Sequence, residues 1–476
     1  MKAETIASIE ILTACFAINF LYGGATRLAS VFFVESIYRF DVSRKQASFP
    51  YVLAYMMRNL CGPLQGYLQQ IFGMKSLVIF GNILATISIA ACFFAEDILA
   101  VILLWGVIFG YCFGLGTQYL PSMLNAHFTT NRSKANGFAY SGACFGGVMM
   151  PPIMEACIEH YGLNGSFLVL AGIMAHLIPF SFLLKSSEEK SKCEIRNRKN
   201  KEESIEMKED KKAVLPLLMP ALKNVGEKSQ TNNTEEEATE LDQKLVTNAC
   251  SQTEAANQKA TENVKKKPPS IFTLKNFKIF IDPSFLIMFI MTGGTTLVIT
   301  TMWTIILDFV RDKGVGVNLE IYYVMIIPLA DIFGRIGSGF VIDKKFLPTS
   351  VITLICCLCT GLTLLGLLFT YNYLLLMFIE FLFPIFYGSI LILQIALIHE
   401  FIQPEKRTMA MVCRAMLFAP LSLTISPMIG YFRGEHGSYD GVIYTLTGIS
   451  FFCGLIIYFV PHLAERRNKT TPDNMT

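Results

Sequence analysis

Asp331 and Arg335 stand four residues apart inside the apolar run Ile321 to Ile342, IYYVMIIPLADIFGRIGSGFVI. Residues at i and i+4 share a helix face, so the two charges can pair along one helix. That helix is long and apolar enough to lie in a bilayer, where a central charge costs at least ~2.5–3.5 kcal/mol. Charges in that position face a protein interior or a watery path, and they mark a site for something charged. A structural ion pair that locks two helices is the alternative reading. A guanidinium offers a planar fork that holds a carboxylate through two parallel hydrogen bonds and stays charged at any working pH. Arg335 is therefore the candidate carboxylate binder. Asp331 competes for it when no anion is bound, so an anion that displaces Asp331 would couple its own uptake to that of a proton.

Three further arginines fall in apolar stretches. Arg27 is expected to face a cavity as a fixed anion anchor, or else to snorkel to the outer interface. Arg58, near the middle of the second apolar stretch, would add positive potential for a dianion or larger anion, or pair with an acid such as Glu155 or Glu380. Arg414 raises the same question in the eleventh. Tyr119, with Phe383 and Tyr387, is a candidate wall for the apolar tail of a substrate, with ordinary packing as the alternative. Asn19, Asn59, Gln118, Asn125 and Gln394 read as interhelical hydrogen-bonding groups. Thr292 to Thr301 (TGGTTLVITT) reads as the lining of an aqueous path opposite Arg27, or as close helix packing.

The elements that must hold these residues follow from composition. Of 476 residues, 53% are hydrophobic and 16% charged, with a mean hydropathy of +0.46; soluble domains carry ~25% charged residues. The chain is expected to be a polytopic membrane protein. Its net charge of +3 gives no reason to expect a nucleic-acid partner. Most of the thirteen cysteines lie within apolar runs and read as small packing residues, with no disulfide framework and no metal-ligand spacing. No cleavable signal peptide is evident, so the first apolar stretch is read as its own insertion signal.

Stretches of about 20 apolar residues mark bilayer helices, and twelve are predicted. They lie near 9–33, 47–70, 75–95, 98–124, 135–158 and 166–184, then 283–308, 319–342, 349–370, 373–400, 408–431 and 440–460. This divides the chain into a six-helix bundle, 1–184, a polar linker, 185–276, a second six-helix bundle, 277–461, and a tail, 462–476. The linker lacks the apolar content to fold alone and reads as disordered. Its patch Leu215 to Leu222 reads as a local helix, and the basic segment Lys265 to Lys278 as a surface helix on the bilayer. Arg132, Lys134, Lys344, Lys345, Lys406, Arg407, Arg466 and Arg467 fall on one side, which puts both termini in the cytoplasm. Arg39, Arg44 and Lys45 argue the other way and are outnumbered.

Two six-helix halves with a midplane site are the plan of a repeat-built transporter. Gly66 to Lys75 after the second span, and Gly339-Phe-Val-Ile-Asp343-Lys344-Lys345 after the eighth, resemble the Gly-x-x-x-Asp-(Arg/Lys) loop of the major facilitator superfamily. The first copy has Gln70 where the acid belongs. Further stretches resemble the monocarboxylate transporters of that superfamily: Gly106-Val-Ile-Phe-Gly110 to Pro121, Phe128, Asn131-Arg132, Ala135-Asn-Gly137, Ser141-Gly142, Asp331-Ile-Phe-Gly-Arg335, Gln403-Pro404-Glu405-Lys406 and Gly437-Ser438-Tyr439-Asp440. Two family features differ. The acidic-Gly-Gly-Trp opening of the first helix is replaced by Glu4-Thr5-Ile6. The lysine four residues before a Val-Phe-Phe run is Arg27, before Val31-Phe32-Phe33. Lysine can shed its proton in a dry site, whereas arginine holds it.

The resemblance implies an all-α membrane protein of twelve transmembrane helices in the major facilitator fold. It also implies alternating-access transport of a small organic anion, a monocarboxylate such as lactate or pyruvate, with a proton. Arg335, Arg27, Arg58 and Tyr119 are the substrate-site candidates and Asp331 the proton-coupling one. The chain is expected to need no cofactor and no metal. The resemblance adds a plasma-membrane location and a single-span immunoglobulin-like chaperone. A proton-independent carrier of another organic anion or an aromatic amino acid, and a non-transporting membrane sensor or scaffold, are the other readings. Motifs for a metalloprotease, a nucleophile elbow or an ATP-binding glycine loop are absent from the sequence, so no enzyme is expected.

Overall fold

The computed structural model describes residues 2–42, 44–128, 130–184 and 279–470. The predicted linker, with its 215–222 patch and 265–278 basic segment, lies outside the described residues, as does the end of the tail from 471. Among the described residues every regular element is a helix.

Among the described residues, eight helices are long and apolar enough to cross a membrane, or nine if Pro404–Ser422 and Ile425–Arg433, bent by 43°, form one span. The twelve predicted spans are recovered for identifiable reasons. The stretch Arg132–Leu183 runs for 52 residues, about 78 Å at 1.5 Å per residue, more than twice a ~30 Å hydrocarbon core. It is two spans, turned at Gly162, whose φ of 67° is left-handed and suits a residue without a Cβ. The second span is broken at Cys61 between Arg44–Leu60 and Gly62–Phe72. The eighth, Val317–Asp343, carries its own acids and Arg335, which lower its hydropathy. The first predicted span tightens at Leu28 and runs on as Ala29–Phe40.

Helix starts follow local chemistry. Asp282 accepts the backbone N–H of Ser284 at 3.1 Å, with Pro283 in the first turn. Asn372 accepts the N–H groups of Leu374 and Leu375, opening Tyr373–Phe401.

Two seams join the halves. In one, Arg132–Met174 lies against Val317–Asp343, and the Asp343 carboxylate accepts the backbone N–H groups of Ser133 (3.1 Å) and Lys134 (2.9 Å). An acid from one half thus caps a helix of the other, where the helix dipole favours negative charge. In the second, Gly62–Phe72 meets Arg407–Cys413, with a Cβ on Gly62 falling 2.5 Å from the Val412 carbonyl oxygen. The matching loop position on this side is Gln70, which carries no charge. The two copies of the loop motif are therefore electrostatically unequal.

Candidate functional site

Between the seams lies a cavity of about 160 Å³ lined from both halves. Arg27 and Arg58 come from the first half, Arg335 and Arg414 from the second. No Asp or Glu is among its lining residues.

Arg335 is 6% exposed and Asp331 1%. The Arg335 Nε–H donates to Asp331 Oδ1 at 2.8 Å and Nη2 to Oδ2 at 2.5 Å, a two-bond fork within one helix. Nη1 donates to the Tyr140 carbonyl at 2.7 Å, across the seam. A guanidinium has five N–H groups, so these three bonds leave two without a protein partner on a residue that lines the cavity. Asp331 sits behind Arg335 and outside the cavity lining. The Cys144 thiol donates to its Oδ2 at 3.2 Å, again from the opposite half. Gly388 makes room for it, since a Cβ there would collide with Oδ1. The pair is thus both an ion pair along one helix and a junction between halves.

Arg27 does not snorkel away. Its Cζ lies 3.5 Å from the centroid of the Trp303 ring, a cation–π contact that crosses to the second half. Arg58 sits over Phe113 at 4.2 Å, and its Nε has no hydrogen-bond partner. The expected pairing of Arg58 with Glu155 or Glu380 does not form. Glu155 is exposed and Glu380 is buried at 1% outside the cavity lining, while Arg58 turns into the cavity. Arg414 donates to its own-helix carbonyl of Met411 and to the Tyr140 hydroxyl at 3.4 Å.

Tyr119 is a correction. It is fully buried outside the cavity lining, and its hydroxyl donates to the Gln65 carbonyl at 2.6 Å. The ring fills the joint beside the broken second span. Phe383 is likewise core, whereas Tyr387 lines the cavity.

Among the neutral amides, Gln118 and Gln394 make the expected interhelical hydrogen bonds, to the Arg58 carbonyl and to the Thr295 hydroxyl at 3.1 Å, whereas Asn19 and Asn59 do not. Asn19, Asn59, Gln118 and Gln394 all line the cavity. Asn19 and Asn59 donate to carbonyls one turn back, Cys15 and Tyr55 at 2.9 Å each, and so need no second helix. Asn125 does pair with another side chain, Asn136, at 2.7 Å. Thr292, Thr296 and Thr300, spaced by four, form a hydroxyl stripe on the wall beside Trp303. Two participants escaped sequence reasoning, Cys144 and Tyr140. Nothing in their local sequence signals a role, because each acts through a partner almost 200 residues away, at separations of 187 and 195.

Glu380 raises a separate point. Its Oε2 is sealed from solvent without a hydrogen-bond partner, and an unsatisfied buried polar group costs about 1–3 kcal/mol. Glu380→Leu is expected to raise the unfolding temperature of the purified protein, followed by tryptophan fluorescence. A fall would mean the carboxyl makes a stabilising contact.

The Major Facilitator Superfamily model matches residues 15–379 and 350–474. The chain belongs to that superfamily. The proton:xylose symporter XylE, solved bound to 6-bromo-6-deoxy-D-glucose, superposes with a TM-score of 0.65 at 13% identity, covering 96% of this chain and 97% of that one. The transporter FucP in its outward conformation gives 0.62 at 12%, over 96% and 99%. At these identities the likeness is one of fold.

Among sequences, Monocarboxylate transporter 4 of Rattus norvegicus is 28% identical over 177 residues, 37% of each chain. Monocarboxylate transporter 12-B of Danio rerio is 22% identical over 341 residues, 71% of this chain and 62% of that one. Monocarboxylate transporter 3 of Gallus gallus is 23% identical over 466 residues, 97% and 79%. The match to the first of these spans little more than a third of its length. These relatives bear out the resemblance to monocarboxylate transporters.

Proposed function

We propose that this chain is a secondary active transporter of small organic anions, carrying a monocarboxylate together with a proton by alternating access. The observation that supports the reading is the Arg335 guanidinium, which holds Asp331 through two bonds while lining a cavity without carboxylates, with two of its N–H groups left unbonded. A substrate carboxylate entering there takes those N–H groups and draws Arg335 away from Asp331. Asp331 is otherwise shielded behind Arg335, so its loss of the guanidinium and its gain of a proton belong to one event. Arg27, held on Trp303, supplies a second fixed positive charge, and the proton rides on Asp331 because arginine retains its own. The two bodies that rock are 1–184 and 277–461, hinged across the seams, with 185–276 as the cytoplasmic link. The names of the relatives support the substrate class. The sequence resemblance adds a plasma-membrane location and an immunoglobulin-like single-span partner to this proposal, and the basic residues near the span ends add cytoplasmic termini.

The test is uptake of labelled lactate and pyruvate by cells expressing the chain, at acidic and neutral external pH. Wild-type uptake should rise on acidification. Asp331→Asn removes the proton site but keeps the shape of the side chain, and should give uptake that no longer responds to pH. A mutant with the full acid stimulation would remove Asp331 from the coupling step.

A further inference from the structure

Arg58 and Arg414 are left without a task by this reading. Among the described residues no carboxylate pairs with either, and neither position is one for which the resemblance supplies a role. Both line the same cavity as Arg335, one from each half, and each lies close enough to feel the other's charge. Arg58 has an unpartnered Nε, and Gln118, whose amide donates to the Arg58 carbonyl, has an unpartnered Oε1. Tyr140 connects the two basic groups. Its carbonyl accepts from Arg335, while its hydroxyl faces Arg414.

Two like charges brought together away from bulk water repel, and stacking on Phe113 offsets only part of the cost for Arg58. Asp331 neutralises Arg335, but nothing in the lining does the same for Arg27, Arg58 and Arg414. The missing negative charge must then arrive with the ligand. A single carboxylate held by Arg335 leaves the Arg58–Arg414 pair uncompensated. A second anionic group on the same molecule would answer it, and the cavity is far smaller than the ~300–1,000 Å³ of a drug-sized pocket. A short chain between the two groups is therefore required.

Resting on the reading of this cavity as an organic-anion site, we infer that Arg58 and Arg414 form a second carboxylate subsite, through which the site takes short dicarboxylates as well as monocarboxylates and binds them more tightly. One carboxylate docks at Arg335 and Arg27. The other lies between Arg58 and Arg414, where guanidinium forks from the two halves close on it together. Binding of the second carboxylate would therefore favour the state in which the halves have come together.

The experiment compares uptake of labelled succinate and labelled lactate by the full chain at the cell surface, in wild type, Arg58→Met and Arg414→Met. Wild type should take up succinate with the higher efficiency. Each variant should lower the ratio of succinate to lactate efficiency by about tenfold or more, the loss expected of one charge-assisted contact. In parallel, succinate should raise the unfolding temperature of the purified wild type more than lactate does, and lose that advantage in Arg58→Met. Uptake of lactate without succinate overturns the second subsite and leaves the proposed function standing. Equal losses for the two acids overturn it as well, because the arginines would then serve any anion. Surface-expressed wild type that moves and binds neither acid overturns the proposed function and this inference together.

Discussion

Arg335→Ala should abolish carboxylate uptake, with a loss of at least about a hundredfold at equal surface expression. Two effects combine. The substrate loses its bidentate partner, and Asp331 is stranded at 1% exposure with only the Cys144 thiol for company. Breaking a buried ion pair by removing one member costs about 3–5 kcal/mol, so the single variant also threatens the fold. Asp331→Asn with Arg335→Gln separates the effects, since no charge is then left buried. The double variant should reach the surface and unfold near the wild-type temperature, yet still fail to move carboxylates. Arg335→Lys is a finer probe. Lysine keeps the charge but offers a point donor, which cannot span Asp331 and the Tyr140 carbonyl at once. Its uptake should be impaired by about tenfold or more, mainly through KM. Uptake by the double variant at the wild-type rate would show that the pair is structural and that the anion binds elsewhere.

The sequence reveals the architecture more readily than the site. Apolar runs near bilayer length are set by the solvent that surrounds them, so Thr349–Phe369 and Tyr373–Phe401 fall almost where hydropathy puts them. Asp331 and Arg335 are legible because their spacing alone brings them together. Arg27, Arg58 and Arg414 are legible as anomalies, but not as neighbours, since the packing of four separate helices gathers them with Arg335. Tyr119 misleads for the complementary reason. An aromatic ring in a span fills core or lines a cavity according to its rotation about the helix, which the moderate amphipathy of buried helices does not report. Asn19 and Asn59 mislead too, because each satisfies its amide N–H locally and so turns toward the cavity without a helix partner. The seam is least visible of all. Its close approaches at Gly62, Gly137 and Gly339 are to backbone atoms of the other half, and sequence records them only as glycines.

Gly137 is the sharpest of these, and its replacement carries the second large expected effect. It lies on Arg132–Met174, one turn before Tyr140, and a Cβ there would collide with the Arg335 carbonyl oxygen in the opposite half. A backbone oxygen cannot rotate away as a side chain can. Gly137→Val must therefore push the two seam helices apart, and the 2.7 Å bond from Arg335 Nη1 to the Tyr140 carbonyl stretches with them. Overpacking of this kind costs about 1–3 kcal/mol or more, which converts to a ~5–150-fold shift against the closed seam. Alternating access needs that seam to close in every cycle, so uptake should fall by a similar factor while the protein still reaches the surface. Gly337→Val is the matched control, because a Cβ at Gly337, on the facing helix, meets nothing within 4 Å. It should transport like wild type. A seam held apart should also free the Arg132–Met174 helix start from Asp343, so a cysteine at the buried Ser133 should become more reactive to a maleimide applied to the purified protein in Gly137→Val, but not in Gly337→Val. Undiminished uptake by Gly137→Val would mean that the halves work at a wider spacing, and that the close contact at Arg335 is not part of the transport cycle.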